Sequence, residues 1–209
     1  MQPEETRAFS GTETTVRCLL SGSRGAGKTS FFSCVTGGKF ETSLMLTAGV
    51  DYRNVRCKRR GEWIRVQVWD QGTAERFRPL TRAYYHGANV VLCCIDLTDS
   101  DWSNLYRDTC TFLAKARSYT PEDSVIVLVG CKKDLVSERA VTAEQACELA
   151  AEMLGDFEYM ECSSKTGEGV REVVSHAVKK YLDRPKPQES PVQDSTDNPP
   201  ERRKWCIVM

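Results

Sequence analysis

Gly22-Ser23-Arg24-Gly25-Ala26-Gly27-Lys28-Thr29 matches the pattern G-x-x-x-x-G-K-[ST] at every specified position. The chemistry of that pattern is phosphate binding. Glycines lack a Cβ, so the backbone N–H groups around Gly22, Gly25, Ala26 and Gly27 can curl about phosphate oxygens. Lys28 has the reach for the outer phosphates, the Thr29 hydroxyl is of the type that ligates Mg²⁺, and Ser30 follows it at the helix start. Arg24 stands out, because it puts a long cationic side chain where the loop passes the terminal phosphate.

The elements around the loop fit that role. Thr14 to Ser21 reads as a strand, and Thr29 to Thr36 as a helix that Gly37-Gly38 stops. Lys39 to Thr47 has no periodicity and reads as a loop. Val50 to Arg60 and Glu62 to Asp70 read as a strand hairpin with Arg60-Gly61 at its turn. Gln71 to Gly87 gives mixed signals. Asn89 to Asp96 and Val125 to Val129 are apolar runs suited to strands buried on both faces. Asp101 to Ser118 has helical spacing, with Leu105, Cys110, Phe112 and Leu113 as expected core contacts. Thr142-Ala143-Glu144-Gln145 is a capping-box start for a helix to about Leu154. Phe157 to Cys162 follows as a short strand, and Glu168 to Leu182 as an amphipathic helix with Val170, Val173, Val174 and Val178 inward.

This alternation predicts an α/β fold of the P-loop NTPase type: six strands, mostly parallel, one antiparallel edge strand, helices on both faces. Ligands of such sheets bind at the carboxyl ends of the strands. The phosphate loop, Asp70, Asp96, Lys132 to Asp134 and Ser163 to Lys165 all converge on that edge. Residues 14–182 form the domain, 1–13 a flexible arm, and 183–209 a tail whose Pro, Ser, Asp, Gln, Asn and Glu content predicts disorder.

The whole chain has 209 residues and a formal net charge of zero, so nothing global points to nucleic acid as a partner. No apolar run is long enough to span a bilayer, and Met1 to Thr12 lacks the apolar centre of a secretory signal. The ten cysteines show neither C-x-x-C pairs nor a zinc-like spacing. Free thiols in a reducing compartment are expected, with Cys18, Cys93 and Cys94 buried in strands.

Taken in order, these motifs resemble a small GTPase of the Ras superfamily, and specifically its Rab branch. Ala48-Gly49-Val50-Asp51-Tyr52, Ala74-Glu75-Arg76-Phe77 and Tyr84-Tyr85-His86-Gly87-Ala88 carry the Rab-like marks, and the resemblance spans Val16 to Leu182 plus the last four residues. It implies GTP and GDP as ligands with Mg²⁺, the metal held by Thr29, Thr47 and Asp70. It implies guanine recognition by Cys131-Lys132-Lys133-Asp134, where the family writes Asn-Lys-x-Asp. Asp134 would accept both N1–H and the exocyclic amine, a pairing that adenine does not offer. Lys132 would lay its stem on the base, Phe40 would pack at its edge, and Ser163, Ser164 and Lys165 would complete the pocket. Tyr52, Trp69 and Tyr84 match a hydrophobic patch that effector proteins read.

Three departures bear on function. Cys131 stands where the family has asparagine, and a thiol is a poor substitute for an amide. Guanine selectivity is therefore expected to survive with affinity weakened by ~1–3 kcal/mol and with fast exchange. In the second switch, Trp69-Asp70-Gln71-Gly72-Thr73-Ala74-Glu75 aligns Thr73 with the glycine that senses the γ-phosphate and Ala74 with the glutamine that orients the attacking water. Alanine has no group with which to place a water. Arg24, lastly, occupies a position where a large side chain obstructs that water and an incoming arginine finger. Intact family members hydrolyse at only about 10⁻⁴ s⁻¹ unaided, so little chemistry is expected here. The two escapes are Gln71 as a shifted water-positioner and Arg24 as a finger in cis.

Cys206-Ile207-Val208-Met209 fits C-a-a-X and predicts a farnesyl group on Cys206. One lipid chain anchors weakly, and Arg202-Arg203-Lys204 would add attraction to an anionic leaflet. The expectation is a cytoplasmic protein held peripherally on an intracellular or plasma membrane, with effectors and an exchange factor as partners. Two other readings stand beside it: an ordinary cycling GTPase completed by an activating protein, and a scaffold insensitive to nucleotide.

Overall fold

The computed structural model describes residues 13–42, 49–71, 78–154 and 158–184. Thr47, Thr73, Ala74, Phe157 and Cys206 lie outside the described residues.

The described elements are β1 (Thr15–Gly22), α1 (Lys28–Val35), β2 (Val50–Arg59), β3 (Glu62–Gln71), α2 (Arg78–His86), β4 (Val90–Asp96) and α3 (Trp102–Tyr119). After them come β5 (Val125–Cys131), a 3₁₀ turn (Val136–Glu138), α4 (Ala143–Leu154), β6 (Tyr159–Glu161) and α5 (Val170–Asp183). The strands form one six-stranded sheet in the order β2-β3-β1-β4-β5-β6. β1 lies parallel to both β3 and β4, and β5 lies parallel to β4 and β6. Among the described residues only the β2–β3 hairpin is antiparallel. Its turn is made by Arg60 (φ 49°) and Gly61 (φ 88°), two left-handed residues as a tight twisted hairpin requires.

Residues of β1 divide between the faces by the two-residue period of a strand. Val16, Cys18 and Leu20 face α1 and α5, meeting Phe31, Phe32, Val35, Val173 and Val174. Leu19 faces the other layer, with Tyr85 of α2, Leu105 and Leu113 of α3, and Leu149 of α4. β4 and β5 are buried along nearly their whole length, which accounts for their unbroken apolar sequences.

The helix starts were legible. Asp101 caps α3 by accepting from the Asn104 N–H at 3.1 Å. Thr142 and Gln145 exchange reciprocal bonds of 3.0 and 3.2 Å at the start of α4. In α3 the inward face differs from expectation. Leu105, Thr109, Leu113 and Ala116 are the buried positions, at helical spacing, whereas Cys110 and Phe112 are only partly covered. The nine residues of α2 occupy part of the stretch with mixed signals. β6 is only three residues long, because only Leu128, Val129 and Gly130 of β5 pair with it. Every described cysteine is a free thiol. Among the described residues no helix is long and apolar enough to cross a membrane.

Candidate functional site

The loop between β1 and α1 sits at the carboxyl edge of the sheet. Gly22 (φ 121°) forms its foot, and a Cβ there would stand 2.2 Å from the Cys94 carbonyl oxygen, so only glycine fits. Gly27 (φ 94°) starts α1 in the left-handed conformation with no side-chain cap. The first N–H groups of the helix thus belong to the loop's concavity, where the helix dipole favours an anion. Ala26 is buried beneath the loop, while Arg24 and Gly25 are exposed on its outer side and Ser30 is half-buried behind it.

Lys28 is buried and folds back on its own loop, donating to the Gly22 carbonyl at 2.9 Å and the Ser23 carbonyl at 2.6 Å. Burial pushes its ammonium below the ordinary lysine value, and the nearby Asp70 carboxylate is among the groups that resist this. Asp70, 1% exposed near the end of β3, therefore places a negative charge beside the Lys28 cation. Thr29 is half-buried on the first turn of α1.

The loops after β5 and β6 build the other end. Lys132 adopts φ 65°, unusual for a residue with a side chain, and its Nζ pairs with Asp96 Oδ2 at 2.5 Å. Asp96 is oriented in turn by Thr98, whose N–H and hydroxyl donate to Oδ1 at 2.9 and 2.7 Å. The Asp134 carboxylate accepts from Ser163 Oγ at 2.7 Å, and Oγ accepts from the Thr166 N–H at 3.1 Å. That second bond directs the Ser163 proton toward Asp134. Lys165 Nζ stands 4.0 Å from the other Asp134 oxygen. Asp134 is thereby held as an acceptor with a defined direction. Ser163 and Ser164 are buried, and Phe40 is 39% exposed.

Cys131 ends β5 in the apolar layer under α1 and α5, 1% exposed. Its thiol meets those of Cys162 and Cys94; those contacts, then burial, push it far above the ordinary thiol range, so it stays neutral. Its contact with the phosphate loop is packing alone: a Cβ on Gly27 would lie 3.2 Å from the Cys131 Cβ.

Arg139 and Glu161 brace these loops. The guanidinium makes two parallel bonds to the carboxylate, 2.9 and 2.6 Å, and Arg139 Nε donates to the Val141 carbonyl at 2.7 Å. No sequence motif marks Arg139, and although the sequence places Asp96 and Lys132 at this edge, it does not show that they pair. A partial signal existed in Asp96, a carboxylate closing an apolar strand.

Tyr52, Trp69 and Tyr84 form one aromatic surface. The Tyr52 and Trp69 rings stack with centroids 4.7 Å apart and a 17° interplanar angle, and Tyr84 lies 6.0 Å from Trp69. Tyr52 is 52% exposed, so the patch opens to solvent.

A family model described as "Ras family" matches residues 17–183. "Ras-related protein RabC" of Dictyostelium discoideum is 32% identical over 163 residues, covering 77% of this chain and 81% of that protein. Human "Ras-related protein Rab-3B" is 30% identical, over 88% of this chain and 78% of its own. "Ras-related protein Rab-3" of Caenorhabditis elegans is 30% identical, with 90% and 80% covered.

Proposed function

The chain belongs to the Ras family as a Rab-like small GTPase, and from that premise we propose that it is a membrane-traffic switch whose GTP-bound state is long-lived. The observation that carries the nucleotide reading is the Ser163–Asp134 bond at the same sheet edge as Lys28. A carboxylate fixed as an acceptor suits the two N–H donors of guanine. The loop foot that tolerates no Cβ and the uncapped start of α1 suit the phosphates.

The donor set also fits a divalent cation. Thr29 and Asp70 lie at that edge, and Thr47 would complete the set with a hard oxygen ligand. Bound Mg²⁺ supplies charge neutralisation on the phosphates. The slow hydrolysis rests on Ala74, Thr73 and Arg24, which leave the chain without a water-positioning group. Effectors would read Tyr52, Trp69 and Tyr84. A lipid on Cys206, helped by Arg202 to Lys204, would hold the protein reversibly on a membrane. Cys206→Ser would then shift it to the non-membrane fraction.

The deciding experiment denatures the purified chain and identifies the nucleotide it releases. GTP is the expected result. Predominant GDP would make it an ordinary cycling GTPase served by an activating protein, and no nucleotide would make it a scaffold.

A further inference from the structure

Ser21 is the last residue of β1 before Gly22, the loop foot. It is 1% exposed, and its side chain reaches into the layer formed by Leu19, Val91, Cys93 and Tyr85. A hydroxyl in such surroundings is costly unless it is hydrogen-bonded. Its partner is the Tyr85 hydroxyl of α2, itself fully buried. Burial holds the Tyr85 phenol well above its ordinary pKa, so it remains a neutral O–H. With both groups out of reach of bulk water, each satisfies the other, and removing either one orphans its partner.

The bond joins the foot of the phosphate loop to α2. On the Ser21 side, the adjacent Gly22 carbonyl receives the Lys28 ammonium, and Gly22 is wedged against the backbone of Cys94. On the Tyr85 side, α2 begins directly after residues 72–77, which include Thr73 and Ala74. Tyr85 also packs edge-on against Tyr119 at the end of α3, centroids 6.3 Å apart. The Arg82 guanidinium lies 5.5 Å over that same Tyr119 ring. The far end of α2 is thus seated on α3, and the buried Tyr85 hydroxyl is aimed at the foot of the phosphate loop.

We infer that Ser21 and Tyr85 are positioning residues that tie retention of the nucleotide to the seat of α2. While α2 is seated, the Ser21 hydroxyl is satisfied and the foot that holds Lys28 is fixed. A displacement of α2 by the second switch, or by a protein that grips it, orphans Ser21 and loosens the loop from below. The inference rests on the guanine-nucleotide reading of the site.

The test is the release rate of N-methylanthraniloyl GDP, and of the matching non-hydrolysable GTP analogue, from wild type and variants. The variants are Tyr85→Phe, Ser21→Ala, the double substitution and Ser21→Thr. Each of the first two is expected to release GDP about fivefold faster. The double variant should be no faster than either single one, because neither hydroxyl is then left orphaned. Ser21→Thr, which keeps the hydroxyl, should restore slow release. The GDP and GTP-analogue complexes should be affected unequally, since α2 follows the switch; a purely structural bond would lower the melting temperature and move both alike. Equal acceleration of both, additive single effects, or wild-type rates in Tyr85→Phe would each overturn the inference. Wild-type protein that takes up neither nucleotide would overturn the guanine-nucleotide reading together with it. Normal wild-type uptake with uncoupled variants removes the inference alone.

Discussion

Gly27 and Cys131 meet where the phosphate loop rests on the end of β5, a Cβ on Gly27 falling 3.2 Å from that of Cys131. The contact is one of packing, for the neutral thiol directs its weak polarity to Cys94, Cys162 and the Val129 carbonyl. Asparagine shares the Cβ position and brings two donors and an acceptor. Cys131→Asn should therefore tighten GDP binding by ~1–3 kcal/mol, roughly five- to 150-fold, in a fluorescent GDP titration. An unchanged or weaker Kd would mean that this position does not limit affinity.

Hydrolysis gives the second prediction. Single-turnover GTP cleavage by the wild type should run below about 10⁻⁴ s⁻¹. Combining Arg24→Ser with Ala74→Gln should raise it at least tenfold, by clearing the loop and restoring a water-positioning amide. Arg24→Ser that slows cleavage would instead make Arg24 a finger in cis. Wild-type cleavage at an ordinary Rab rate would remove the slow-switch reading.

For base recognition, Ser163→Ala removes the hydroxyl that orients Asp134 but leaves the carboxylate. Affinity for GDP should fall about fivefold (~1 kcal/mol) with guanine still preferred over adenine. Asp134→Ala should remove the preference itself. Competition titrations with GDP and ADP separate the two outcomes; equal effects of both substitutions would count against the orienting role of Ser163.

Arg139 and Glu161 set a pH dependence. The two guanidinium bonds hold the Glu161 carboxyl below its ordinary value, with burial opposing them. The folded protein thus binds fewer protons than the unfolded chain as pH falls. The stabilisation is complete above the ordinary glutamate pKa of about 4.3 and is lost as pH drops through the lower folded value. Arg139→Ala should cost about 1 kcal/mol at pH 7, the pair being partly screened by solvent, and should flatten this acid limb. Thermal melts at pH 7 and pH 4 read both effects. A variant as acid-sensitive as the wild type would show that other carboxylates dominate.

Much of the architecture is legible because its causes are local. Val16, Cys18 and Leu20 alternate with Leu19 by strand geometry, and the Thr142–Gln145 box declares the start of α4 within four residues. Asp134 and Lys28 are marked by motifs whose spacing is itself the mechanism. What stayed hidden is set by tertiary packing. Ser21 and Tyr85 lie on β1 and α2, and no periodicity relates them. The Cys94, Cys131 and Cys162 thiols come from, or directly follow, three different strands, which only the parallel register brings side by side. In α2, Pro79 is compatible with a helix's first turn, but no capping residue just before Arg78 marks where the helix begins within that stretch.

The strand order also has a consequence for how the protein is made. β1 is synthesised first, yet its neighbours in the sheet are β3 and β4, and the site it opens is completed only at Ser163 to Lys165. On a ribosome adding about 5–20 residues per second, roughly 7 to 30 seconds pass between the first and last of these segments. Throughout that interval the phosphate loop exists as sequence but not as a pocket. A nascent chain cut short before β6 and its loop would carry Gly22 to Thr29 intact and still lack the serine that aims Asp134.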